Sequence, residues 1–370
     1  MGDKIDFTRS FAVDYAGARA KFRASAEAAG ASPASYKHAG ASGPAGEPLF
    51  VDVARLGDAR APRQLVIISG THGLEGLSGS AAQVGWLQSR PQLPQGVSLL
   101  LVHALNPYGF AHATRTTENN VDLNRNFVDH AQPYPENPGY VRLHSYVLPD
   151  DWTPAALAAY AGEVAAFKDE HGPDALFDAQ ARGQYTHPQG ANYGGNAREW
   201  SNLTLEAIVA EHLGSAEQIG MIDWHTGIGD YGDAFFLCFN EEGGALQAEA
   251  ARWWGADRIV GQRPHGLARP NYQGLVFHGL RHFLGGRPMV GAVIEFGTRG
   301  PNMRRALQLD VWLKFRAEKD SERVRLLRAD LLDAFVPVSA HWREGTTEQA
   351  IAITQQTIAG LAAWSPTQKT

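Results

Sequence analysis

The sequence predicts an α/β protein, a three-layer α/β/α sandwich whose central sheet is mostly parallel or mixed. Three apolar runs have the composition of strands: LVIIS at 65–69, SLLLV at 98–102 and AVIEF at 292–296. Helical patterns separate these runs along the chain. Because such runs lack an alternating polar face, they are typical of strands buried on both sides, and we expect helices to cover both faces of the sheet.

The predicted elements follow one another in a regular order. Aromatic residues at near-helical spacing predict a helix over 6–29 that stops at Gly30. The small-residue stretch 29–48 is interpreted as a surface loop, and the run PLFVDVARLG after it as a strand. Further strands are predicted at 64–69, 97–103, 219–225, 234–240 and 289–296, a long loop from 104 to about 139, and helices at about 78–90, 154–181, 200–214, 244–254, 302–335 and 344–364.

The chain is interpreted as one domain. Its 370 residues suffice for a full hydrophobic core, and the sequence has no internal repeat and no charge run. We therefore predict a single domain over 1–370, with a motif-bearing core at about 48–300 and the N- and C-terminal helices packed on it.

Composition excludes several classes of partner and site. With 33 basic and 39 acidic residues the net charge is −6, which offers no electrostatic footprint for nucleic acid or anionic lipid. The N-terminus does not resemble a leader and no window is apolar enough to span a membrane, so we expect a cytoplasmic protein. The single cysteine, Cys238, cannot form an intrachain disulfide or a thiolate cluster. Any metal site must use histidine and carboxylate.

The first candidate site follows the strand LVIIS. His72 and Glu75 lie three residues apart in a loop with glycines at 70, 73, 76 and 79, so both side chains can turn toward one point above the sheet. Imidazole nitrogen and carboxylate oxygen are ligands that zinc accepts. A phosphate-binding loop is excluded because no Gly-Lys-[Ser/Thr] sequence occurs here. The structural alternative is that His72 caps a helix and Glu75 lies in its first turn.

A third ligand is available at the end of a second strand. His225 closes the apolar run MIDWH beside Gly227, and open α/β sheets bind their ligands at such strand ends. Two histidines and a glutamate form a set typical of a hydrolytic zinc site, although other divalent ions also bind it. A purely structural histidine is the alternative for His225.

The order of the polar motifs carries a family resemblance. H-x-x-E at 72–75 is followed by N-P-x-G-F at 106–110, D-x-N-R-N-F at 122–127, D-x-H at 223–225 and a glutamate on an apolar strand at 295. In that order they resemble the M14 zinc carboxypeptidase family, and most closely its DUF2817 branch. The matching positions span 64–298. The resemblance implies a zinc carboxypeptidase-like fold.

The same resemblance implies roles for the metal site. His72, Glu75 and His225 would bind one zinc ion per chain. Asp122 would accept the other ring N–H of His72, which fixes the tautomer of a ligand. The alternative for Asp122 is that it only initiates a turn.

The resemblance also implies the groups that hold and cleave the substrate. Asn124 and Arg125 would bind a free α-carboxylate, and Arg115 would stabilise the developing oxyanion. The alternative for both arginines is a structural ion pair. Glu295 matches the family's general base, which takes a proton from the attacking water and passes it to the leaving amine. Its alternative is a buried ion pair, for example with Arg299.

Two features have no assigned match. The family's carboxypeptidases usually carry a tyrosine on a mobile loop, and neither Tyr231 nor Tyr272 lies in a recognisable motif. Nor does the sequence identify the base of a side-chain specificity pocket. The polar, aromatic and glycine-rich segment 184–196 suits a loop over the site, where it would restrict the substrate to something small. A plain connector is the alternative.

Taken with the resemblance, these residues predict a zinc-dependent hydrolase that cleaves an amide bond next to a free carboxylate. The substrate would be a small peptide or amide. An alternative is an N-acyl amino acid amidohydrolase of the aspartoacylase and succinylglutamate desuccinylase type. A more remote alternative is a non-catalytic carboxylate- or peptide-binding protein. A serine hydrolase is disfavoured because no G-x-S-x-G sequence occurs.

Overall fold

The computed structural model describes residues 7–90, 92–318 and 321–365. Residue 6, where the predicted N-terminal helix starts, and residues 319–320, inside the predicted segment 302–335, lie outside these ranges. The strands are β1 (Ala34–Ser42), β2 (Pro48–Leu56), β3 (Arg63–Ser69), β4 (Val97–His103), β5 (Gln218–Gly227), β6 (Ala234–Cys238) and β7 (Met289–Gly297).

The strands form one mixed sheet in the order β1-β2-β4-β3-β5-β7-β6. The four central strands, β4, β3, β5 and β7, run parallel to one another. The flanking strands β1, β2 and β6 pair antiparallel with their neighbours. Since helices cover both faces, the predicted fold class is confirmed.

Side chains of the central strands alternate between two hydrophobic clusters, one on each face. On β3, Ile67 packs into a cluster with α3 (Gly76–Gln88) and α14 (Ala340–Ala363), whereas Val66 and Ile68 pack into a cluster with α8 (Trp200–His212) and α11 (Val276–Phe283). The helices of the described residues are α1 (Phe7–Ser10), α2 (Tyr15–Ala28), α3 (Gly76–Gln88), α4 (Pro107–Ala111), α5 (Pro138–Val147), α6 (Pro154–His171), α7 (Pro173–Ala181), α8 (Trp200–His212), α9 (Ala245–Trp254), α10 (Ala256–Ile259), α11 (Val276–Phe283), α12 (Met303–Phe315), α13 (Glu322–Phe335) and α14 (Ala340–Ala363).

The N-terminal region differs from the prediction in two ways. The predicted helix over 6–29 is divided into α1 and α2, because the Asp14 carboxylate caps the second helix by accepting the Gly17 N–H at 2.8 Å. The stretch 29–48, expected to be a loop, contains β1, which pairs antiparallel with β2. Edge strands need only backbone partners on one side, so a run of small residues can form one.

Two segments that the sequence predicts as long helices are each divided into two helices. The segment 154–181 forms α6 and α7, since Gly172 takes a positive φ of 86° and Pro173 begins the next helix. The segment 302–335 also forms two helices, α12 and α13, although no proline or glycine lies between them in the sequence; the Ser321 hydroxyl caps α13 by accepting the Val324 N–H at 3.2 Å. The predicted long loop contains α4, and α5 begins at its end. Within the described ranges, no helix combines the length with the hydropathy that crossing a bilayer requires.

Candidate active site

The loop after β3 is fixed by a close backbone contact. Gly73 begins the 3₁₀ turn that carries Glu75, and a Cβ at Gly73 would lie 2.0 Å from the carbonyl carbon of Gly109. The Asn106 carboxamide accepts the Gly109 N–H at 2.8 Å and so fixes the opposing loop. Only glycine permits this approach, so the segments that carry H-x-x-E and N-P-x-G-F pack directly against each other.

Three ligand-type atoms meet at the carboxyl ends of β3 and β5. His72 Nδ1 lies 3.0 Å from Glu75 Oε1, and His225 Nδ1 lies 3.1 Å from Glu75 Oε2. The two Nδ1 atoms are 3.1 Å apart. All three side chains are buried, and their ligand atoms lie within 4.8 Å of one another. Two imidazole nitrogens and a carboxylate that face one point fit a divalent cation such as zinc.

Each of the two imidazole rings has a carboxylate beside its Nε2 atom. His72 Nε2 donates to Asp122 at 2.9 Å, and His225 Nε2 donates to Asp223 at 2.9 Å. Thr71 Oγ1 also donates to Asp223, at 2.9 Å. Because an ionised carboxylate only accepts hydrogen bonds, it keeps the proton on Nε2 and leaves Nδ1 free to bind a metal.

His72, Glu75 and His225 together are called the metal-type cluster below. Glu295 lies on β7 directly beside it. In the parallel β5–β7 pair it is in register with His225. The carboxylate is buried, and Oε2 accepts the Ile228 N–H at 3.3 Å. Burial, together with the negative charge of Glu75, raises the pKa of Glu295 to about 7. Such a carboxyl group can both accept and return a proton near neutral pH.

The alternative for Glu295, an ion pair with Arg299, does not occur. The Arg299 guanidinium instead bonds Asp330 at 2.9 Å and Asp333 at 2.9 Å. Glu295 therefore keeps its position in the cavity without an arginine partner among the described residues.

Arg115 is held close to the metal-type cluster. Its guanidinium donates to Asp122 at 2.5 Å and to the Asn192 carboxamide at 3.3 Å. Burial lowers the pKa of Arg115, but Asp122 and Glu75 outweigh burial, so the pKa is raised above its usual value. Arg115 thus keeps its charge inside the protein.

The loop that carries Arg115 is anchored by α12. The buried Asp310 carboxylate accepts the Thr114 hydroxyl at 2.8 Å and the Arg115 backbone N–H at 3.0 Å. One turn later, Lys314 donates to the Thr116 hydroxyl at 3.0 Å and to the Thr117 carbonyl at 2.7 Å. Two side chains of one helix therefore hold the backbone on both sides of Arg115.

Asn124 and Arg125 lie between the metal-type cluster and α7. The Asn124 carboxamide oxygen accepts the Val276 N–H at 2.9 Å. The Arg125 guanidinium donates to the carbonyls of Asn124 and Ala181, each at 2.5 Å. Its buried Nε has no partner among the described residues. Arg125 is therefore firmly positioned and retains an unused donor.

The structure distinguishes the two unassigned tyrosines. Tyr231 is 53% exposed and lies away from the cavity. Tyr272 lines the cavity, and the Arg125 guanidinium carbon lies 5.0 Å from its ring centre. Burial raises the pKa of Tyr272 to about 12. Of these two tyrosines, Tyr272 is the one placed to contact a substrate.

The segment 184–196 packs against the site. Ala191 and Asn192 line the cavity. The Tyr185 hydroxyl donates to the Arg125 carbonyl at 2.6 Å, and the Tyr193 carbonyl accepts the Asp122 N–H at 2.8 Å. The segment is more than a connector, because it lines the cavity and bonds the turn that carries Asp122 and Arg125.

The predicted residues share one cavity of ≈ 160 Å³. Asp122 alone is set back from it, behind His72. Aromatic and aliphatic side chains form much of the remaining lining. The predicted site residues that line it are His72, Glu75, Arg115, Asn124, Arg125, His225 and Glu295.

Residues 11–349 match the family described as "Protein of unknown function (DUF2817)". The match covers most of the chain. The chain belongs to the DUF2817 family. The branch that the motifs predict is thereby confirmed. No curated protein matches the sequence.

Several solved structures are similar to this DUF2817 protein at low identity. Carboxypeptidase A from Helicoverpa armigera is 14% identical, with 88% of this chain and 74% of that chain covered and a TM-score of 0.43. A metallo-carboxypeptidase from Burkholderia cenocepacia is 13% identical, with coverages of 94% and 69% and a TM-score of 0.43. The succinylglutamate desuccinylase from Chromobacterium violaceum is 15% identical, with coverages of 86% and 74% and a TM-score of 0.36.

Sequence reasoning left two residues of the DUF2817 site without a role. Asp223 could have been found, because residues two apart on a strand face the same side and Asp223 precedes His225 by two. Tyr272 follows Pro270 and Asn271 in an irregular segment between α10 and α11. No local pattern marks its place in the cavity.

Replacing Asp223 with asparagine is expected to weaken metal binding about 10- to 100-fold, because a neutral carboxamide does not fix the His225 tautomer as a carboxylate does. Competition with a chromophoric chelator measures the affinity. Asp52→Asn is the matched control: Asp52 is also fully buried, but it pairs with Arg19 and lies away from the metal-type cluster. Equal affinities of Asp223→Asn and wild type would contradict this role.

Proposed function

We propose that this DUF2817 protein is a zinc-dependent hydrolase that cleaves an amide bond adjacent to a free carboxylate, as a metallocarboxypeptidase does. One observation carries the proposal. A single cavity contains a ligand set for one divalent ion per chain, a buried carboxylate beside it and, among the groups of its lining, the guanidinium groups of Arg115 and Arg125. These are the groups that such a reaction needs.

Different residues of the chain have separate roles in the proposed reaction. His72, Glu75 and His225 would hold a divalent ion, which would supply Lewis acidity toward the carbonyl and the attacking water. Glu295 accepts a proton from that water as its oxygen bonds to the carbonyl carbon. Arg115 donates to the carbonyl oxygen as it gains negative charge. Glu295 then delivers its proton to the leaving nitrogen as the C–N bond breaks.

The remaining groups of the cavity position the substrate. The Arg125 guanidinium and the Asn124 carboxamide receive the free carboxylate of the substrate, for which the planar guanidinium is well suited. Tyr272, packed over Arg125, limits the space beside that carboxylate. The reacting amide is thereby directed toward Glu295.

An N-acyl amino acid is the second candidate substrate. Segment 184–196 lines a cavity of ≈ 160 Å³ through Ala191 and Asn192, and a cavity of this size favours a short substrate over a long peptide. Assays of the metal-loaded protein on a C-terminal peptide series and on N-acyl amino acids separate the two reactions. Turnover of neither series would contradict the hydrolase proposal and would leave a carboxylate-binding protein.

Arg125→Ala tests the requirement for a free carboxylate. Each charge-assisted hydrogen bond is worth ~1.5–3 kcal/mol, so kcat/KM on the free acid should fall by ~10²–10⁴-fold. The loss on the amidated substrate should be small, since that substrate already lacks the same interaction. The two losses should therefore not add.

Steady-state kinetics on matched free and blocked substrates measure both effects, with fold and metal content checked for each variant. Arg198→Ala provides a control arginine, because Arg198 pairs with Glu206 at the surface. If Arg125→Ala lost equal activity on both substrates, Arg125 would be a structural residue.

A further inference from the structure

One wall of the cavity carries a positive charge with no counter-charge among the described residues. Arg304 lies on α12 and lines the cavity. Its guanidinium carbon is 5.7 Å from the ring centre of Phe177. Within residues 7–90, 92–318 and 321–365, no hydrogen bond or ion pair involves Arg304. The neighbouring Arg305, in contrast, is exposed and does not line the cavity.

The polar groups around Arg304 complement an anion. The Tyr160 hydroxyl accepts a hydrogen bond from Gln180 Nε2 at 3.1 Å, so its own hydrogen remains available to donate. His265 also lines this wall, and burial together with Arg304 lowers its pKa. The acidic residues that line the cavity, Glu75 and Glu295, belong to the metal end.

Keeping Arg304 charged in its partly buried position is unfavourable in free energy. Burial lowers the pKa of its guanidinium, and Tyr160 offsets burial only in part. A partly buried cation is stabilised when a carboxylate pairs with it, and the contact with Phe177 is weaker than such a pair. Because the described part of the chain supplies no carboxylate, a ligand that brought one would gain the full interaction.

We propose that Arg304, together with the Tyr160 hydroxyl, binds a second anionic group of the substrate. The inference rests on the proposed hydrolase function and narrows its substrate class. The preferred amide carries two carboxylates, one held by Arg125 and one by Arg304. The second carboxylate belongs either to the side chain of the released amino acid or to the acyl part.

Two pairs of substrates test the proposal and separate these sources. Acetyl-glycyl-glutamate and acetyl-glycyl-glutamine differ in charge on the released amino acid. Glutaryl-leucine and its terminal amide differ in charge on the acyl part. In the pair that varies the carboxylate bound by Arg304, the kcat/KM of wild type should be about 10- to 100-fold higher for the acid than for its amide. Arg304→Gln should abolish that preference, and Arg305→Gln should preserve it.

Binding gives a readout that does not depend on turnover. Calorimetry on the Glu295→Gln protein should give a Kd about 10- to 100-fold lower for the acid than for the amide of the same pair. Adding Arg304→Gln should equalise the two Kd values. Tyr160→Phe is a milder variant that keeps the cavity shape, and it should reduce the preference a few-fold.

The outcomes distinguish this inference from the proposed function. The role of Arg304 would be overturned by equal kcat/KM and equal Kd within both pairs, or by a preference that survives Arg304→Gln. Hydrolysis of all four substrates would still uphold the proposed function in that case. Failure to hydrolyse any carboxylate-bearing amide would contradict the function itself. Calorimetry would then still decide whether Arg304 binds an anion.

Discussion

Glu295→Gln should lower kcat/KM by about 10²–10⁴-fold while the protein keeps its metal and its fold. Glutamine is nearly isosteric with glutamate, but it cannot accept a proton from water. The carboxylate lies beside His225 in the β5–β7 register, yet the ligand set is complete without it. Activity should therefore fall without a change in metal content.

Kinetics and elemental analysis of the same preparations measure the two quantities. Glu249→Gln is the matched control, because Glu249 is also buried but lies on α9, where it bonds Trp253. This control should keep wild-type turnover. A Glu295→Gln protein that loses its metal would show that Glu295 is a ligand and not the base.

His225→Ala should remove the bound metal together with all measurable turnover. The wild type is expected to carry about one divalent ion per chain, most simply zinc. Without the His225 imidazole, His72 and Glu75 leave only two ligands, which is one fewer than catalytic zinc sites use. Elemental analysis after zinc loading and dialysis measures the change.

His103→Ala separates this effect from the general cost of removing a buried histidine. His103 is fully buried and bonds Ser80 rather than the metal-type cluster. The variant should lose stability but retain its metal. Wild-type metal content in His225→Ala, or a zinc-replete wild type without metal, would disprove the assigned ligand set.

The fold was predictable wherever burial leaves a hydrophobic pattern. The parallel strands β3, β4 and β7 could be identified because their side chains are buried on both faces. β1 escaped prediction because its pairing with β2 depends on backbone hydrogen bonds, which Ala, Ser and Gly make as well as Val or Ile. The assignment of all 370 residues to one domain stays a prediction.

The site was predictable where function needs several residue types at short spacing. His72 and Glu75 on one turn, or Asn124 and Arg125 in one motif, leave a local signature. Tyr272 and Arg304 leave none, because chain segments distant in sequence bring each of them to the cavity. Their positions depend on tertiary packing, which residue spacing does not encode.

The placement of α12 limits how the cavity could be modified. Asp310 and Lys314 of this helix hold the loop that presents Arg115, and Arg304 at its other end faces the cavity. Because these residues lie on one helix, any tilt or slide of α12 would displace both groups at once. An attempt to broaden selectivity by shifting α12 would therefore also displace Arg115, the proposed oxyanion donor. Exchange of the Arg304 side chain alone avoids this trade-off, since it leaves the helix axis where it is.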